Sequence, residues 1–179
     1  TRGTDYLKDA DGADFMHLDG DVIMYNDKKV INVHDMNLLG THNYENVMAA
    51  VGMALSYGVP MDVITDTVRE FKAVEHRIEF VRTVDGVDYY NDSKGTNPDA
   101  AIKGIQAMNR KTVLIGGGYD KKSTYDEWIG SFDGKVKYLI LLGQTSEDIA
   151  ACARKHGFND IIMVKDLKEA VETAKEKAV

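Results

Sequence analysis

The sequence predicts an α/β protein whose doubly wound, mostly parallel sheet has helices on both faces. Three continuous apolar runs, separated by helical segments, support this prediction: "TVLIGG" (112–117), "VKYLILLG" (136–143) and "DIIMV" (160–164). Uninterrupted apolar strands are typical of parallel sheets that are buried on both faces. Ligands of such sheets bind beyond the carboxyl ends of the strands, so we expect function in the loops that follow them.

The first part of the chain, residues 1–40, has the pattern of β structure. "DVIMY" (21–25) and "VINV" (30–33) flank "NDKK", which predicts a hairpin. Two helices should follow, the first ending at Gly58 in a left-handed cap and the second beginning after Pro60. Their apolar positions recur at helical spacing: Val47, Ala50, Val51, Ala54 and Leu55 in the first, and Val63, Ile64, Val68 and Phe71 in the second.

A second hairpin is predicted where "IEFVRTV" (78–84) and "VDYY" (87–90) flank Asp85-Gly86, a two-residue turn signal. Asn97 and Pro98 then predict the start of a helix, with Asn97 as its N-cap. The later helix boundaries are marked by Thr145, which with Asp148 resembles a capping box, by Gly157 and by Asp166.

The composition argues against several classes of function. A net charge of −7 is unfavourable for a general binder of nucleic acid or anionic membranes. The single cysteine, Cys152, excludes a disulfide framework, so we expect a reducing, cytoplasmic setting and a core-facing position for this side chain. Met48 and Met53 are also expected to fill the core. Because Thr1 is not methionine and the last helix has no stop signal, we expect a piece of a longer protein.

The loop "NDSKGTN" (91–97) carries more polar side chains than a short connection needs. One interpretation is a well-capped turn in which its first three residues satisfy backbone groups and Lys94 is solvated. The other is an anion site, because Lys94 and Thr96 precede a helix N-terminus whose backbone amides attract negative charge. The residues alone leave both interpretations open.

A second loop, "GGGYDKKS" (116–123), nearly matches the phosphate-binding pattern G-x-x-x-x-G-K-[ST]. Lys121 stands where the second glycine is required, so we exclude a P-loop. Three glycines after a buried strand still indicate a close approach of the backbone to another group. Lys121 could offer a point charge to a carboxylate or phosphate, and the alternative is a flexible turn with exposed lysines.

Further candidates lie at a helix start and at the predicted junction between residues 1–75 and 76–179. Arg77 could reach a phosphate held between the two domains, or it could form a surface ion pair. Asn43 fits an N-cap, whereas Asn46, one turn later, offers an amide that can pair with a purine edge. The histidines show no metal-ligand spacing, so no metal is assigned within this chain.

Four motifs together resemble the Mur ligase family of bacterial cell-wall synthesis. They are "GTHNYENVMAA" (40–50), "F…EHR" (Phe71 and 75–77), "NDSKGTNPDA" (91–100) and "GGYDK" (117–121). The N-D-S-K-x-T-N string is the most specific, because it resembles the branch that adds D-glutamate and sister ligases differ at that loop. Gly95 stands where the family more often has alanine, and Lys122 stands where it has a small residue.

The resemblance implies a three-domain enzyme. Residues 1–75 would end a central ATP-binding domain, and residues 76–179 would form most of a C-terminal Rossmann-like domain that binds the amino acid. The implied reaction uses ATP and magnesium to activate UDP-N-acetylmuramoyl-L-alanine as an acyl phosphate, which D-glutamate then attacks. The implied partners are small molecules only, without nucleic acid or membrane, and the protein is expected to be a monomer. Because the P-loop and magnesium ligands would lie upstream of Thr1, the chain alone is expected to be inactive.

The same resemblance implies roles for individual residues on the nucleotide side. Asn43 and Asn46 match asparagines beside adenine, and Arg77 matches a residue that reaches the nucleotide phosphates. Asp92 matches a carboxylate that holds the ribose hydroxyls. Lys94 matches a lysine beside the nucleotide, and with Arg77 it forms the implied catalytic pair.

On the amino-acid side, the resemblance implies that Thr96 and Lys121 hold a D-glutamate carboxylate.

Two rival functions remain. One is a non-catalytic Rossmann-like module that binds a ligand, and the other is a Mur-type ligase for a different amino acid. The N-D-S-K-x-T-N loop favours the D-glutamate branch over the second rival.

Overall fold

The computed structural model describes residues 15–72, 74–119 and 122–178. The chain divides into two compact units, residues 1–74 and 75–179. The β structure predicted before Phe15 lies outside the described residues. In the described ranges, none of the helices combines the length and apolar character that crossing a membrane requires.

The first unit contains a three-stranded antiparallel sheet in the order β1-β2-β3. Its elements are β1 (Met16–Asp19), β2 (Val22–Tyr25), β3 (Lys28–Asn32), a short 3-10 helix (Val33–Asp35), α1 (Thr41–Ser56) and α2 (Met61–Glu70). The predicted hairpin is confirmed as β2 and β3, with Asn26 of the turn in the left-handed region (φ 50°). Gly58 (φ 78°) follows α1 and Pro60 precedes α2, as predicted.

The sheet of this unit packs against one face of each helix. Its buried cluster consists of Ile23, Val30, Ile31, Val33, Met36, Val47, Val51 and Ile64. Met48 packs against the cluster, as predicted. The prediction that Met53 fills the core is wrong, because Met53 is 62% exposed. Val63 and Phe71 are each half exposed, so the predicted stripe of α2 is narrower and centres on Ile64. A helix that meets one sheet buries only the residues on its inner face.

The second unit begins with an antiparallel hairpin of β4 (Glu79–Val84) and β5 (Val87–Asn91). Asp85 (φ 50°) and Gly86 (φ 77°) are both left-handed, as a two-residue type I′ turn requires, so this prediction is confirmed. Within the described residues, the hairpin forms a two-stranded sheet of its own. The loop after β5 therefore does not follow a strand of the parallel sheet.

The rest of the unit alternates helices and strands and confirms the predicted α/β fold. The elements are α3 (Pro98–Ala107), β6 (Thr112–Gly117), α4 (Asp126–Gly130), β7 (Val136–Leu142), α5 (Ser146–Lys155), β8 (Ile161–Met163) and α6 (Leu167–Lys177). The strands β6, β7 and β8 form a parallel sheet in that order.

Successive side chains of β7 point to opposite faces of this sheet, and each face is covered. Leu139 and Leu141 belong to a cluster with residues of α3, α4 and α5, including Trp128. Ile140 packs instead with Ala170 and other residues of α6 and the strands. A central strand buried on both faces explains why its sequence is apolar without alternation.

Most predicted helix boundaries are confirmed. The side chain of Asn97 accepts from the N–H of Ala100 at 2.9 Å, and Asp166 caps α6 in the same way. The prediction of a capping box at Thr145 is wrong, since the Thr145 side chain makes no capping bond to α5. Instead, the buried Thr145 hydroxyl donates to the carbonyl of Gly118 at 3.4 Å. A tertiary partner has replaced the local one.

Replacing Leu139 by alanine should lower the free energy of unfolding of the second unit by about 2–5 kcal/mol, because a buried cavity is created. Leu139 is 0% exposed, whereas Leu167 is 63% exposed and provides the matched Leu→Ala control. Urea unfolding followed by the fluorescence of Trp128, the only tryptophan, reports on this core. Equal losses for the two variants would contradict the packing described for β7.

Candidate functional site

The loop after β5 is bonded to the segment that precedes β4. The backbone N–H of Lys94 donates to the carbonyl of His76 at 2.9 Å, and the N–H of Ile78 donates to Asp92 Oδ1 at 3.0 Å. Asn91 Nδ2 also lies 2.9 Å from His76 Nδ1. These bonds flank residue 77, so the backbones at Arg77, Asp92 and Lys94 meet in one place.

The segment before β4 has an unusual backbone. His76 (φ 67°) and Ile78 (φ 47°) both adopt the left-handed region. This conformation is a genuine outlier for a β-branched residue such as isoleucine, and backbone strain of this kind clusters at functional sites. Glu79 helps to hold the turn, because its Oε2 accepts from the N–H of His76 at 2.8 Å. The sequence motif had indicated Arg77 but not the positioning roles of His76 and Ile78.

Asp92 lies in a space that two glycines leave open. A Cβ atom added at Gly95 would lie 2.8 Å from Asp92 Oδ2, and one added at Gly104 of α3 would lie 2.7 Å from the same oxygen. The half-buried carboxylate therefore depends on the absence of both side chains. The absence of a side chain at Gly95 makes room for the orientation of Asp92 that bonds to Ile78.

The internal bonds account for part of the polar character of the loop. Asn91 Oδ1 accepts from the N–H of Ser93 at 3.1 Å, and Asn97 caps α3, as the turn interpretation expects. Lys94 and Arg77 are instead exposed at the surface, and Thr96 is exposed one residue before the N-cap. Both interpretations of the loop are consistent with these positions: its asparagines organise the backbone, and its lysine and threonine face solvent.

In the first unit, the two predicted asparagines lie on the first two turns of α1. Gly40 is the N-cap, so the N-cap interpretation of Asn43 is wrong. The Asn43 side chain donates to the carbonyl of Leu39 at 2.7 Å, whereas Asn46 is exposed. Residues three apart share a helix face, so the structure places both amides on one side of α1.

The three glycines at residues 116–118, at the end of β6 and just after it, lie against other parts of the chain. A Cβ at Gly116 would lie 3.1 Å from the ring of Trp128, and one at Gly117 would lie 2.0 Å from the carbonyl of Leu142 on β7. The Gly118 carbonyl accepts from the N–H of Thr145 at 3.2 Å. The close approach that the glycines predicted is therefore to β7 and α4. Lys121, the predicted D-glutamate residue of this loop, lies outside the described residues.

A group of side chains that we did not single out from the sequence connects α4 and α5. His156 Nε2 lies 3.0 Å from Asp126 Oδ1, and Lys155 Nζ lies 3.1 Å from the same oxygen. The hydrogen bond to His156, and then that to Lys155, lower the pKa of Asp126 to about 2. Burial, and then the charge of Asp126, raise the pKa of the Cys152 thiol, so this thiol is not an activated nucleophile. The spacing of Cys152 and His156, four residues apart at the end of α5, was the available signal.

The match to a known family covers more than half of the chain. Residues 76–179 match the family described as Mur ligase, glutamate ligase domain. The chain belongs to the Mur ligase family. The matched residues coincide with nearly all of the second unit.

Two curated relatives carry the name UDP-N-acetylmuramoylalanine–D-glutamate ligase. The protein of Lachnospira eligens is 53% identical over 167 residues, which are 91% of this chain and 37% of that protein. The protein of Lachnoclostridium phytofermentans is 57% identical over 160 residues, which are 88% of this chain and 35% of that protein. The chain thus spans little more than a third of the length of these relatives.

A solved structure extends the likeness of fold beyond close relatives. Folylpolyglutamate synthase of Mycobacterium tuberculosis, in complex with ADP, matches with a TM-score of 0.63 at 15% identity. The match covers 90% of this chain and 39% of that chain. At this identity the likeness concerns the fold, and it agrees with the α/β architecture described above.

Gly95→Ala should force the Asp92 carboxylate away from Ile78 and lower the free energy of unfolding by about 1–3 kcal/mol, because a half-buried N–H loses a charged partner. In an Asp92→Ala background the same substitution should have a clearly smaller effect, since the side chain that it displaces is gone. Urea unfolding of the four proteins in this double-mutant cycle measures the coupling.

Gly130→Ala is the control for the general effect of replacing glycine, since a Cβ atom there meets nothing within 4 Å. Additive losses for Gly95→Ala and Asp92→Ala would show that the two residues do not compete for the same space.

Proposed function

We propose that this chain is the C-terminal part of an ATP-dependent ligase that adds D-glutamate to UDP-N-acetylmuramoyl-L-alanine. The reaction proceeds through an acyl phosphate in cell-wall synthesis. The names of the two relatives, at 53% and 57% identity, support this activity. The observation that carries the proposal is the bonding of residues 76–78 to the loop after β5, because it gathers the backbones of three proposed nucleotide residues.

In this proposal the two units have different tasks. The first unit is the end of a central ATP-binding domain, and its Asn43 and Asn46 lie beside adenine. The bond from Asn43 to Leu39 supports this role, since an amide held by the backbone presents a fixed edge to a base. The second unit is the domain that brings the amino acid. The ADP complex of folylpolyglutamate synthase, a protein of similar fold, is consistent with nucleotide binding by such an arrangement.

On the nucleotide side, Arg77 reaches the phosphates, Lys94 lies beside the nucleotide and Asp92 accepts hydrogen bonds from the ribose hydroxyls. The two cations would stabilise the charge that develops as a phosphoryl group moves to the substrate carboxylate. The bond of Asp92 to Ile78 keeps the carboxylate in one orientation, and preorganisation of this kind reduces the cost of binding.

On the amino-acid side, Thr96 and Lys121 hold a carboxylate of D-glutamate. Thr96 supplies a directional hydrogen bond close to the N-terminus of α3, where anions are favoured. Lys121 supplies a charge. With its carboxylate fixed, the amine of D-glutamate can be oriented towards the acyl phosphate, which it attacks to form the amide and release phosphate.

Magnesium, when bound, would neutralise charge on the nucleotide phosphates. None of the residues named above is assigned to it, and its ligands belong to the part of the enzyme that precedes this chain. In the same proposal, the complete enzyme is a cytoplasmic monomer, and the 179 residues alone are inactive. Binding and orientation are therefore the contributions of this chain.

The test is phosphate release by the complete reading frame with ATP, magnesium and UDP-N-acetylmuramoyl-L-alanine. Release should depend on D-glutamate and should not occur with L-glutamate, because a carboxylate held by Thr96 and Lys121 orients the amine of only one enantiomer towards the acyl phosphate. Release that depends on another amino acid would identify a different Mur-type ligase. No release with any amino acid, from a folded full-length protein, would favour a non-catalytic binding module.

Lys121→Ala in the complete enzyme should raise the KM for D-glutamate about 10-fold to 100-fold, as expected for the loss of one charged hydrogen bond. The KM for ATP should change little. Asp92→Ala should instead raise the KM for ATP. Asp92→Asn keeps an oxygen that can accept the bond from Ile78, so the difference between the two variants measures how much of the effect reflects the loss of that bond.

Lys103→Ala removes an exposed lysine of α3 and is the control for a general change of charge. An unchanged KM for D-glutamate in the Lys121→Ala enzyme would show that Lys121 does not bind D-glutamate.

A further inference from the structure

The side chains of Asp126, Cys152 and His156 bring three different donor atoms together between α4 and α5. One ligand atom from each, a carboxylate oxygen, a thiol sulfur and an imidazole nitrogen, lies within 4.8 Å of the other two. None of these residues belongs to the nucleotide or D-glutamate positions proposed above. The cluster therefore needs an account of its own.

The helices hold this cluster in place. Cys152 lies in the last turns of α5, and His156 is the C-cap residue of this helix. The N–H of His156 donates to the carbonyl of Cys152 at 3.1 Å, which keeps the two residues one turn apart on the same side. Asp126 is the first residue of α4. The two helices pack through Trp128, Ile129 and Ile149 in the same buried cluster, which keeps Asp126 opposite the α5 pair. The donor atoms are thus positioned by the core rather than by a loose surface contact.

The spacing and the chemistry of the donors fit a small transition-metal ion. Around tetrahedral zinc, ligand atoms at about 2.0–2.3 Å from the metal lie roughly 3–4 Å apart, so small side-chain movements would suffice. A set of one sulfur, one nitrogen and one oxygen donor suits a borderline-soft ion rather than magnesium or calcium. An open cavity of about 420 Å³, lined by Asp126, Cys152 and Asp148 among others, leaves space for a fourth ligand.

We propose that Asp126, Cys152 and His156 form a binding site for a divalent transition-metal ion, with zinc as the ion that this donor set fits best. On binding, the thiol proton passes to solvent and Cys152 Sγ binds as a thiolate. The carboxylate and the neutral imidazole complete three protein ligands, and water occupies the fourth position.

Lys155 is the competitor of the metal for Asp126. Its ammonium group pairs with the same carboxylate oxygen at 3.1 Å, and its side chain is 74% exposed. Exposed ion pairs contribute little, so a divalent ion with two further ligands can displace this lysine. Loss of Lys155 should therefore strengthen metal binding, an effect that is not expected if these side chains only connect the two helices.

The experiment is a titration of the purified 179-residue chain with Co²⁺, followed by absorption spectroscopy. Cys152 is the only cysteine of the chain, so a thiolate-to-cobalt charge-transfer band can arise only from this residue. The band should saturate at one equivalent, and added Zn²⁺ should remove it. It should be absent in Cys152→Ser and strongly weakened in His156→Asn, with folding checked by circular dichroism.

Lys155→Gln should lower the Kd for Co²⁺ about threefold or more. Arg154→Gln removes the neighbouring cation of α5, and it should leave the Kd unchanged. Lack of a charge-transfer band in the folded wild-type chain would overturn the proposal. Equal effects of Lys155→Gln and Arg154→Gln would also overturn it, even if Cys152→Ser failed to fold.

Discussion

The hydrogen bonds between residues 76–78 and the loop after β5 are the constraint on which the proposed nucleotide site depends. The ladder of the hairpin already pairs Glu79 with Asn91. The bonds from Lys94 to His76 and from Ile78 to Asp92 extend this pairing beyond the ladder and hold the segment before β4 against the loop after β5. They also require a left-handed backbone at His76 and Ile78, which is unfavourable in isolation and must be stabilised by the surrounding fold.

Glycine has two distinct uses in the second unit. At the end of β6, Gly117 allows the strand to pass against the carbonyl of Leu142, so this glycine is part of the packing of the sheet. In the loop after β5 and in α3, Gly95 and Gly104 leave space for a single carboxylate, that of Asp92. The first use supports the sheet, and the second sets the orientation of a proposed functional side chain. Glycine at position 95 therefore permits an orientation of Asp92 that a larger residue would disturb.

The contact between α4 and α5 shows how a buried core can organise exposed chemistry. Trp128 and Ile149 are almost fully buried and fix the relation of the two helices. Asp126 and Cys152 then lie at the rim of that core, where the carboxylate is exposed and the thiol is half-buried. Because the geometry comes from apolar packing, these donors remain together without any of the residues assigned to the ligase reaction.

The sequence by itself determined the features that depend on local patterns. Both hairpins, the apolar strands of the parallel sheet and the caps at Asn97 and Asp166 follow from turn residues, apolar runs and capping chemistry within a few residues. The family motifs similarly indicated Arg77, Asp92 and Lys94. These features could be predicted because each depends on neighbours along the chain.

Only the tertiary structure decided which surfaces meet. Met53 has the chemistry of a core residue but lies on the outer face of its helix, and Thr145 bonds to a distant carbonyl instead of capping. The cluster of Asp126, Cys152 and His156 also joins residues that are remote in sequence. Such contacts are set by how whole elements pack, and hydrophobic burial is not directional, so no short sequence pattern encodes them.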